Sequence, residues 1–400
     1  MTSARALAGS ILLALSMALS TSGGARADGV LDSFVYDGGH QALPQAIAVD
    51  RDDRIFVAGA VTQINGASPQ SGDHWLVRRS ADHGGTWTTV DDFQAGTGLS
   101  SIALGMAASP ATGSLFAVGY ATDDSGEAHL RVRRSKDGGN TWEIAFQHQL
   151  ASTGFSSAAG ASIGADGAIY VSGIAVDSVG LSHGFVHSSR DDGMTWTSTD
   201  LTPSGAGLDV RRVYVSPRGD LFAMGFIRTA DPNQSAVIFR SQDQGASWKL
   251  VDAPSDPLYT TTMFQSLFDD SGLTVVVLGT AYENASHFQK SRILARRSID
   301  GGDHWETAEL FPAEGATFAK ARDGLYVGGK FIIFGKEDSQ ALVQVSEDLG
   351  ATWTTDELTP GPESVGASAS AGALDNEGRE LIIGTYVDSG QQTHWCVLTH

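Results

Sequence analysis

Short runs of alternating apolar and polar residues recur along the whole chain, and each run closes on a glycine. A turn-forming dipeptide such as Asp52-Asp53 or Asp166-Gly167 precedes the clearest copies. Side chains of a β-strand alternate between two faces, so a period of two bounded by turns predicts β-hairpins whose second strand ends at the glycine. The run occurs seven times, at residues 55–59, 115–119, 169–173, 221–225, 275–279, 331–335 and 381–384.

A second repeat, Ser-x-Asp-x-Gly-x-Thr-Trp, occurs six times, at residues 80–87, 135–142, 189–196, 241–248, 298–305 and 346–353. Ser247 and His304 replace the threonine in two copies. The aspartate can accept hydrogen bonds from amides of its own turn, the glycine tolerates positive φ, and the tryptophan buries a large apolar surface. We therefore expect structural roles for Asp82, Trp87, Asp137, Trp142, Asp191, Trp196, Asp243, Trp248, Asp300, Trp305, Asp348 and Trp353.

The two repeats together define a unit of four strands: a hairpin, a third strand, the Ser-x-Asp turn and a fourth strand. The seventh unit stops after its third strand, at residues 395–398, and an apolar segment that could supply the fourth strand lies at residues 30–36. The sequence therefore predicts an all-β, seven-bladed β-propeller of four-stranded antiparallel blades. The N-terminal strand of the mature chain is expected to close the ring, which removes exposed sheet edges.

The first residues have the pattern of a secretory signal. Arg5 supplies a positive charge, residues 11–19 form an apolar stretch, and Ala25-Arg26-Ala27 offers small residues for cleavage. The stretch is shorter than the roughly 20 apolar residues that span a membrane. We expect residues 1–27 to be a signal peptide and residues 28–400 to be a single propeller domain, exported to the periplasm or the medium as a monomer.

Composition narrows the set of partners and cofactors. The formal net charge is −20, so nucleic acid and anionic lipid, which need basic patches, are not expected to bind. Cys396 is the only cysteine, which excludes an internal disulfide, and its apolar strand favours a buried side chain. The sequence carries no metal-binding Cys/His cluster and no phosphate-binding glycine loop, so no metal or cofactor is expected.

The six tryptophan-ended copies resemble the Asp-box, or BNR, repeat of sialidases, sortilin-type receptors and xyloglucanases. The resemblance implies that the boxes lie on the rim opposite the binding face and are structural. The binding face would then be formed by the segments that lead into each first strand and by those that follow each second strand.

Two arginines stand out in the segments that would form this face. Arg212 and Arg322 each lie 13 residues before the glycine of their own hairpin, which predicts equivalent positions at the start of an inner strand. With Arg211 and Lys320 they would form a cationic cluster able to attract a carboxylate or sulfate. The alternative is that each arginine pairs with a local acid such as Asp209 or Asp323.

Other candidate side chains on this face carry less specific patterns. Tyr259 and Glu314 could form a Tyr-Glu nucleophile pair, although no motif marks them. Acids that could supply paired carboxylates for glycoside hydrolysis are Asp123, Asp124, Asp177, Asp231, Glu283, Glu314 and Asp388. Four histidines recur at one position of adjacent units, and we expect packing roles for them, because equivalent points on neighbouring blades lie too far apart to share a metal ion: His74, His129, His183 and His394.

The function is less well defined than the fold. Sialidases have six blades and a Phe/Tyr-Arg-Ile-Pro motif, whereas the corresponding residues 43–47 here read Leu-Pro-Gln-Ala-Ile. The sequence favours an exported, non-catalytic propeller that binds a glycan, peptide or protein at the mouth of its channel. The alternative is a glycan-active hydrolase or lyase with its site at the same face, and a glycoside hydrolase would be the first choice of enzyme. Acids that converge on Arg212 and Arg322 would favour the enzyme.

Overall fold

The computed structural model describes residues 30–36, 40–63, 72–150, 154–228, 234–254, 259–283, 290–311, 318–338, 340–358, 366–390 and 392–399. The predicted signal peptide lies outside these residues. Every regular element within them is a β-strand, and none of them forms a helix that is long and apolar enough to cross a membrane.

The strands form seven four-stranded antiparallel sheets, which confirms the predicted seven-bladed propeller. Strand β1 (Val30–Phe34) precedes the first complete blade. Blade 1 contains β2 (His40–Val49), β3 (Ile55–Gln63), β4 (His74–Ser80) and β5 (Thr88–Phe93). Blade 2 contains β6 (Ser101–Ala108), β7 (Leu115–Thr122), β8 (Ala128–Ser135) and β9 (Glu143–His148). Blade 3 contains β10 (Ser156–Ile163), β11 (Ile169–Val176), β12 (Ser182–Ser189) and β13 (Thr197–Asp200).

The second half of the ring repeats this order. Blade 4 contains β14 (Gly207–Val215), β15 (Leu221–Arg228), β16 (Ser235–Ser241) and β17 (Lys249–Asp252). Blade 5 contains β18 (Tyr259–Phe268), β19 (Val275–Glu283), β20 (Ser291–Ser298) and β21 (Glu306–Phe311). Blade 6 contains β22 (Ala319–Val327), β23 (Lys330–Glu337), β24 (Gln340–Ser346) and β25 (Thr354–Leu358). Blade 7 contains β26 (Gly366–Leu374), β27 (Glu380–Val387), β28 (Thr393–Thr399) and β1.

Strand β1 closes the ring, as the sequence predicts. It pairs antiparallel with β28, so that Val30 lies opposite Leu398 and Phe34 lies opposite Trp395. Trp395 and its apolar neighbours from blade 7 share one buried cluster with Val57 and Leu76 of blade 1. Closure by a strand from the other end of the chain pairs the backbone groups that would otherwise form a free edge.

Each inner strand has a β-bulge, and the recurring glycine of the neighbouring strand lies opposite it. In blade 4, Arg211 is the extra residue between Val210 and Arg212, and Gly225 faces Val210. A Cβ atom on Gly225 would overlap the carbonyl oxygen of Asp209. The bulge therefore explains why glycine recurs at this position in all seven blades, since a side chain opposite the bulge has no space. The second strands also continue past this glycine, so the prediction that they end there is wrong.

The six Ser-x-Asp turns connect the third and fourth strands, and their hydrogen bonds are local. In the first turn, Asp82 Oδ1 accepts hydrogen bonds from the Ser80 hydroxyl at 2.9 Å and the Thr86 amide at 2.7 Å. The Ser80 hydroxyl oxygen also accepts one from the Gly84 amide at 2.8 Å, and Gly84 has a φ of 93°. These hydrogen bonds lower the pKa of Asp82, because they stabilise its charged form.

Apolar clusters fill the spaces between neighbouring blades, and within the described segments three of these interfaces also contain a bidentate ion pair. Arg133 of blade 2 donates two hydrogen bonds of 2.8 Å to Asp91 of blade 1. Arg78 pairs in the same way with Asp32 across blades 1 and 7, and Arg296 with Asp252 across blades 5 and 4. Bidentate pairing of this kind fixes orientation as well as distance between blades.

Candidate functional site in the central channel

A cavity of about 200 Å³ lies at the centre of the ring, where the seven inner strands meet. Each blade contributes residues at or beside the bulge of its inner strand. The residues that line the cavity are Gln45, Ala46, Ile47, Leu104, Gly105, Met106, Gly160, Ala161, Arg212, Tyr214, Gln265, Arg322, Asp323, Gly324, Ser370, Ala371 and Gly372. In every blade the lining residues lie at the bulge or within three residues after it, so one local irregularity, repeated seven times, marks the wall.

The wall of the channel has a mainly polar part and a part with mainly small and apolar side chains. Strands β14, β18 and β22 contribute most of the large polar side chains, namely Arg212, Tyr214, Gln265, Arg322 and Asp323, and β2 adds Gln45. The other four inner strands contribute mainly alanine, glycine and short apolar side chains. A ligand could therefore fill the space beside the small residues while it forms hydrogen bonds to the polar wall.

Arg212 crosses the channel wall towards blade 3. Its Nη1 donates hydrogen bonds to the carbonyl oxygens of Ala159 and Arg211, the latter at 3.0 Å. A Cβ atom on Gly160 would lie 2.6 Å from Arg212 Cδ, so the absence of a side chain at Gly160 makes room for the arginine. Among the described residues, no carboxylate forms an ion pair with Arg212.

Arg322 is the extra residue of the bulge in β22, and its side chain is exposed to the channel. No hydrogen bond or ion pair joins it to any residue that the structure describes. Removal from bulk water lowers the pKa of Arg322. The neighbouring Tyr282 opposes this effect, and the positive charge of Arg212 adds to it. The two guanidinium groups therefore repel each other at one cavity, and neither is bound to a carboxylate among the described residues.

Asp323 lies next to this pair. Its Oδ2 accepts a hydrogen bond of 3.0 Å from the Gly372 amide. Removal from bulk water raises the pKa of Asp323 to about 6, although the amides of Gly372 and Gly324 and the charge of Arg212 partly offset this effect. The carboxyl group can therefore gain or lose a proton close to neutral pH.

Tyr214 and Gln265 complete the polar wall. The Tyr214 hydroxyl donates a hydrogen bond to Gln265 Oε1 across blades 4 and 5. Burial raises the pKa of Tyr214, so its phenol stays protonated at neutral pH. Sequence patterns did not identify either residue, because the contact joins two strands of different blades and has no local signal.

The predicted equivalence of Arg212 and Arg322 is wrong by one position. Gly225 faces Val210 in blade 4, whereas Gly335 faces Ala321 in blade 6. Arg322 therefore corresponds to Arg211. The count from the glycine fails because the first hairpin turn of blade 4 spans residues 216–220 and that of blade 6 only residues 328–329. The strand segments on both sides of the turn are each one residue longer in blade 6, so the net difference is one position. Arg212 and Arg322 nevertheless line the same cavity.

The predicted pairing with local acids applies to Arg211 and not to the other two arginines. The Asp209 carboxylate is fully buried and accepts hydrogen bonds from Arg211 at 3.1 Å and from Arg228 at 2.7 Å. The guanidinium carbon of Arg211 also lies 5.2 Å from the centroid of the Phe226 ring. Arg211 thus has its own partners outside the cavity.

The remaining candidates lie elsewhere. Lys320 Nζ lies 5.7 Å from the centroid of the Tyr282 ring. The Tyr259 ring packs against the apolar cluster between blades 4 and 5, away from the residues that line the cavity. Glu314 and Asp231 lie outside the described residues, and with Glu314 the predicted Tyr-Glu pair does so too.

The recurring histidines bind aspartates of their own blades. His129 Nε2 lies 2.7 Å from Asp123, and His394 Nε2 lies 3.0 Å from Asp388. His183 lies between two aspartates of blade 3, and His74 lies 2.6 Å from Asp92. No group of three or more potential metal ligands occurs within the described part of the chain. Asp123, Asp177 and Asp388 each precede the histidine that they contact by six residues. This constant spacing is a signal from which the sequence could have predicted the pairs.

No family model matches the sequence, and none of the curated proteins matches it either. Solved structures do resemble the fold. The polysaccharide lyase Uly1 matches with a TM-score of 0.56 and 12% identity, over 94% of this chain and 91% of that one. A protein of unknown function from Dyadobacter fermentans matches with a TM-score of 0.51 and 16% identity, over 94% and 100%. A Hadza microbial sialidase, Hz136, gives a TM-score of 0.49 at 14% identity, over 83% and 74%. At these identities the likeness shows a shared fold alone.

Proposed function

We propose that this chain is an exported propeller that binds a carboxylate-bearing glycan in its central channel, through Arg212 and Arg322. The observation that carries the proposal is that both guanidinium groups line one cavity and neither pairs with a carboxylate among the described residues. Guanidinium groups bind carboxylates with two parallel hydrogen bonds, and such pairs are strongest where water is excluded.

The shape of the channel suits one unit of a glycan chain. The cavity volume of about 200 Å³ is more than ten times the roughly 10–15 Å³ that one water molecule needs on the same measure, so a ligand group has room there. Ala161 and Ala371 present only methyl groups to the cavity, and Gln265 and Tyr214 can form hydrogen bonds with hydroxyl groups. A sugar ring carries such hydroxyl groups around its whole edge, whereas a peptide side chain does not.

The repeats and the fold relatives support this assignment indirectly. The six Ser-x-Asp turns fit Asp boxes with a structural role, because their aspartates bind their own turns. One structure that shares the fold is named as a polysaccharide lyase. The proposed export rests on the signal-like residues 1–27 and suits a protein that meets polysaccharides outside the cell.

A second candidate function, a lyase acting on the same glycan, is favoured by Asp323 and Tyr214. A lyase neutralises the sugar carboxylate, removes the adjacent proton with a base and protonates the leaving oxygen with an acid. Arg212 and Arg322 could neutralise the carboxylate. Asp323 could act as the base and Tyr214 as the acid. Hydrolysis needs two carboxylates, and Asp323 is the sole carboxylate among the described residues that line the cavity.

Calorimetric titration with short oligogalacturonates, and with neutral oligosaccharides of the same length, tests the binding. We expect the acidic oligomers alone to bind, and we expect Arg212→Ala and Arg322→Ala each to weaken binding by about tenfold or more. Arg190→Ala is the matched control, since Arg190 lies half-exposed in the third Ser-x-Asp turn and pairs with Asp166 at 3.5 Å. Equal affinity of all three variants would exclude the channel as the site.

The ultraviolet absorbance of an unsaturated uronate, followed in the same samples, separates binding from lyase activity. A binder leaves the absorbance unchanged, whereas a lyase raises it in the wild type but not in Asp323→Asn. Activity that survives in Asp323→Asn would remove the proposed base, while the binding proposal would stand or fall on the calorimetry.

A further inference from the structure

A second polar cavity lies on blade 2, away from the central channel. It has a volume of about 310 Å³ and is lined by Asp123, His129, Arg131, Gln147, His148 and Gln149. The cavity opens at the end of the blade where the inner strand begins, because the Thr122 amide, just before Asp123, donates a hydrogen bond of 2.8 Å to the Ser100 carbonyl. It therefore lies on the face that carries the segments leading into the inner strands.

Arg131 breaks the pattern of the other blades. It lies opposite Gly119 on the third strand, and the equivalent residues of the other six blades are Leu76, Phe185, Val237, Leu294, Leu342 and Cys396. All six are apolar and buried. Packing of a blade thus favours an apolar side chain at the position of Arg131, and a guanidinium group there does not contribute to this packing.

The Arg131 guanidinium has unused hydrogen-bonding capacity. Its Nε is shielded from water and has no hydrogen-bond partner. A buried donor without an acceptor is destabilising, and more so when the group is charged, so such groups are rare unless a ligand supplies the acceptor. Burial also lowers the pKa of Arg131, and the negative charge of Asp123 only partly offsets this effect.

Asp123 does not neutralise this arginine by direct contact. Its Oδ1 accepts hydrogen bonds from the Ser125 and Glu127 amides at 2.8 and 3.1 Å. Its Oδ2 lies 2.7 Å from His129 Nε2. Both oxygens are therefore engaged within the turn, which leaves Arg131 and the exposed amide of Gln147 available to a ligand.

We infer that this cavity is an outer subsite, in which Arg131 binds an oxyanion, a carboxylate or sulfate group, of a glycan that reaches across the same face. The assignment rests on the proposed function for the glycan, while the anion site itself depends only on Arg131 and its cavity. A propeller that holds an acidic polymer at two places gains affinity through effective concentration rather than through stronger contacts at either place.

Arg131→Leu is the variant that tests this site without harming the fold, since leucine occupies the equivalent position in blades 1, 5 and 6. We expect its thermal midpoint to equal or exceed that of the wild type. Arg131→Gln, which keeps a polar group of similar length, is the second variant should the leucine disturb packing.

The readout is the Nε–Hε resonance of Arg131 in protein labelled at arginine, during titration with oligogalacturonate, inorganic sulfate or a neutral oligosaccharide. We expect the first to shift the resonance and the last to leave it in place, and a shift with inorganic sulfate shows that the anion alone suffices. Affinity for the oligomer should fall by about tenfold or more in Arg131→Leu. An unmoved resonance at saturating oligogalacturonate, or an equal shift with the neutral oligomer, would overturn the outer subsite.

The double variant Arg212→Ala/Arg322→Ala separates this inference from the channel. If the Arg131 resonance still shifts in the double variant while overall affinity falls, both sites stand. If the double variant binds as tightly as the wild type, the channel proposal fails and the outer subsite alone remains. If the oligomer binds and only the double variant loses affinity, the outer subsite fails.

Discussion

Gly160 of blade 3 lies against the side chain of Arg212 of blade 4, and a methyl group on Gly160 would come within 2.6 Å of Arg212 Cδ. This glycine therefore decides where the guanidinium group of a neighbouring blade lies. Gly160→Ala should displace Arg212 and weaken binding of an acidic glycan by about tenfold, because an added methyl in a packed site is destabilising by about 1–3 kcal/mol. Calorimetric titration with oligogalacturonate measures the effect.

The control for this change is Gly167→Ala, in the hairpin turn of the same blade, where an added methyl has no atom within 4 Å. It carries the conformational cost of a positive φ without touching Arg212, so its affinity should match the wild type. In an Arg212→Ala background, Gly160→Ala should have no further effect on affinity. An undiminished loss in that background would show that Gly160 acts through something other than Arg212.

Asp323 should make binding depend on pH. Its pKa of about 6 lies above the ordinary carboxyl value, so it is largely ionised at pH 7 and largely protonated at pH 5. Its negative charge repels a bound carboxylate, and affinity for oligogalacturonate should rise severalfold as the pH falls from 7 to 5. Asp323→Asn keeps the acceptor for the Gly372 amide and should bind equally well across this range. A wild-type affinity that does not vary with pH would mean that Asp323 does not face the ligand.

The bulge glycines should be far more sensitive than turn glycines. A Cβ on Gly119 would overlap the Ile102 carbonyl oxygen, whereas one on Gly126, with a φ of 87°, meets nothing within 4 Å. Gly119→Ala should lower the free energy of unfolding by more than about 3 kcal/mol, against about 1 kcal/mol for Gly126→Ala. Denaturant unfolding of the two variants compares them directly, and similar losses would mean that the bulge can relax.

The number of blades was predictable because every blade has its own bulge and its own glycine opposite the bulge. A bulged inner strand leaves no room for a Cβ opposite it, so the glycine recurs at residues such as Gly59 and Gly384 whatever the surrounding sequence. The closing strand was predictable for a similar reason, since the seventh unit lacks a fourth strand and the apolar alternation around Phe34 supplies one. Local geometry that repeats leaves a local signal.

The channel was predictable only in part, since its residues meet through the ring rather than along the chain. Charge identifies Arg212 and Arg322, but their relative register depends on the turn and strand lengths of two hairpins, which the glycine count ignores. Tyr214 and Gln265 touch across two blades, and nothing in either segment predicts the contact. Arg131 could have been found by aligning the seven third strands, where it is the one charged residue opposite a bulge glycine.

The interface between blades 2 and 3 should make the fold sensitive to acid. His187 is fully buried there, its ring lies 4.8 Å from that of His148, and burial lowers the pKa of His187 to about 3. Because the unfolded chain takes up a proton near pH 6.5 and the folded chain does not, stability is complete above that pH and is lost as the pH falls towards 3. At pH 5 the loss amounts to about 2 kcal/mol. His187→Phe should remove the contribution of His187 and leave the contribution of His148, whose pKa burial also lowers. Phenylalanine fits there because Phe239 occupies the equivalent position in blade 4, and the reverse change, Phe239→His, should introduce a similar loss. Denaturant unfolding between pH 7 and pH 5 measures both, and an unchanged slope with pH in His187→Phe would assign the acid sensitivity to other groups.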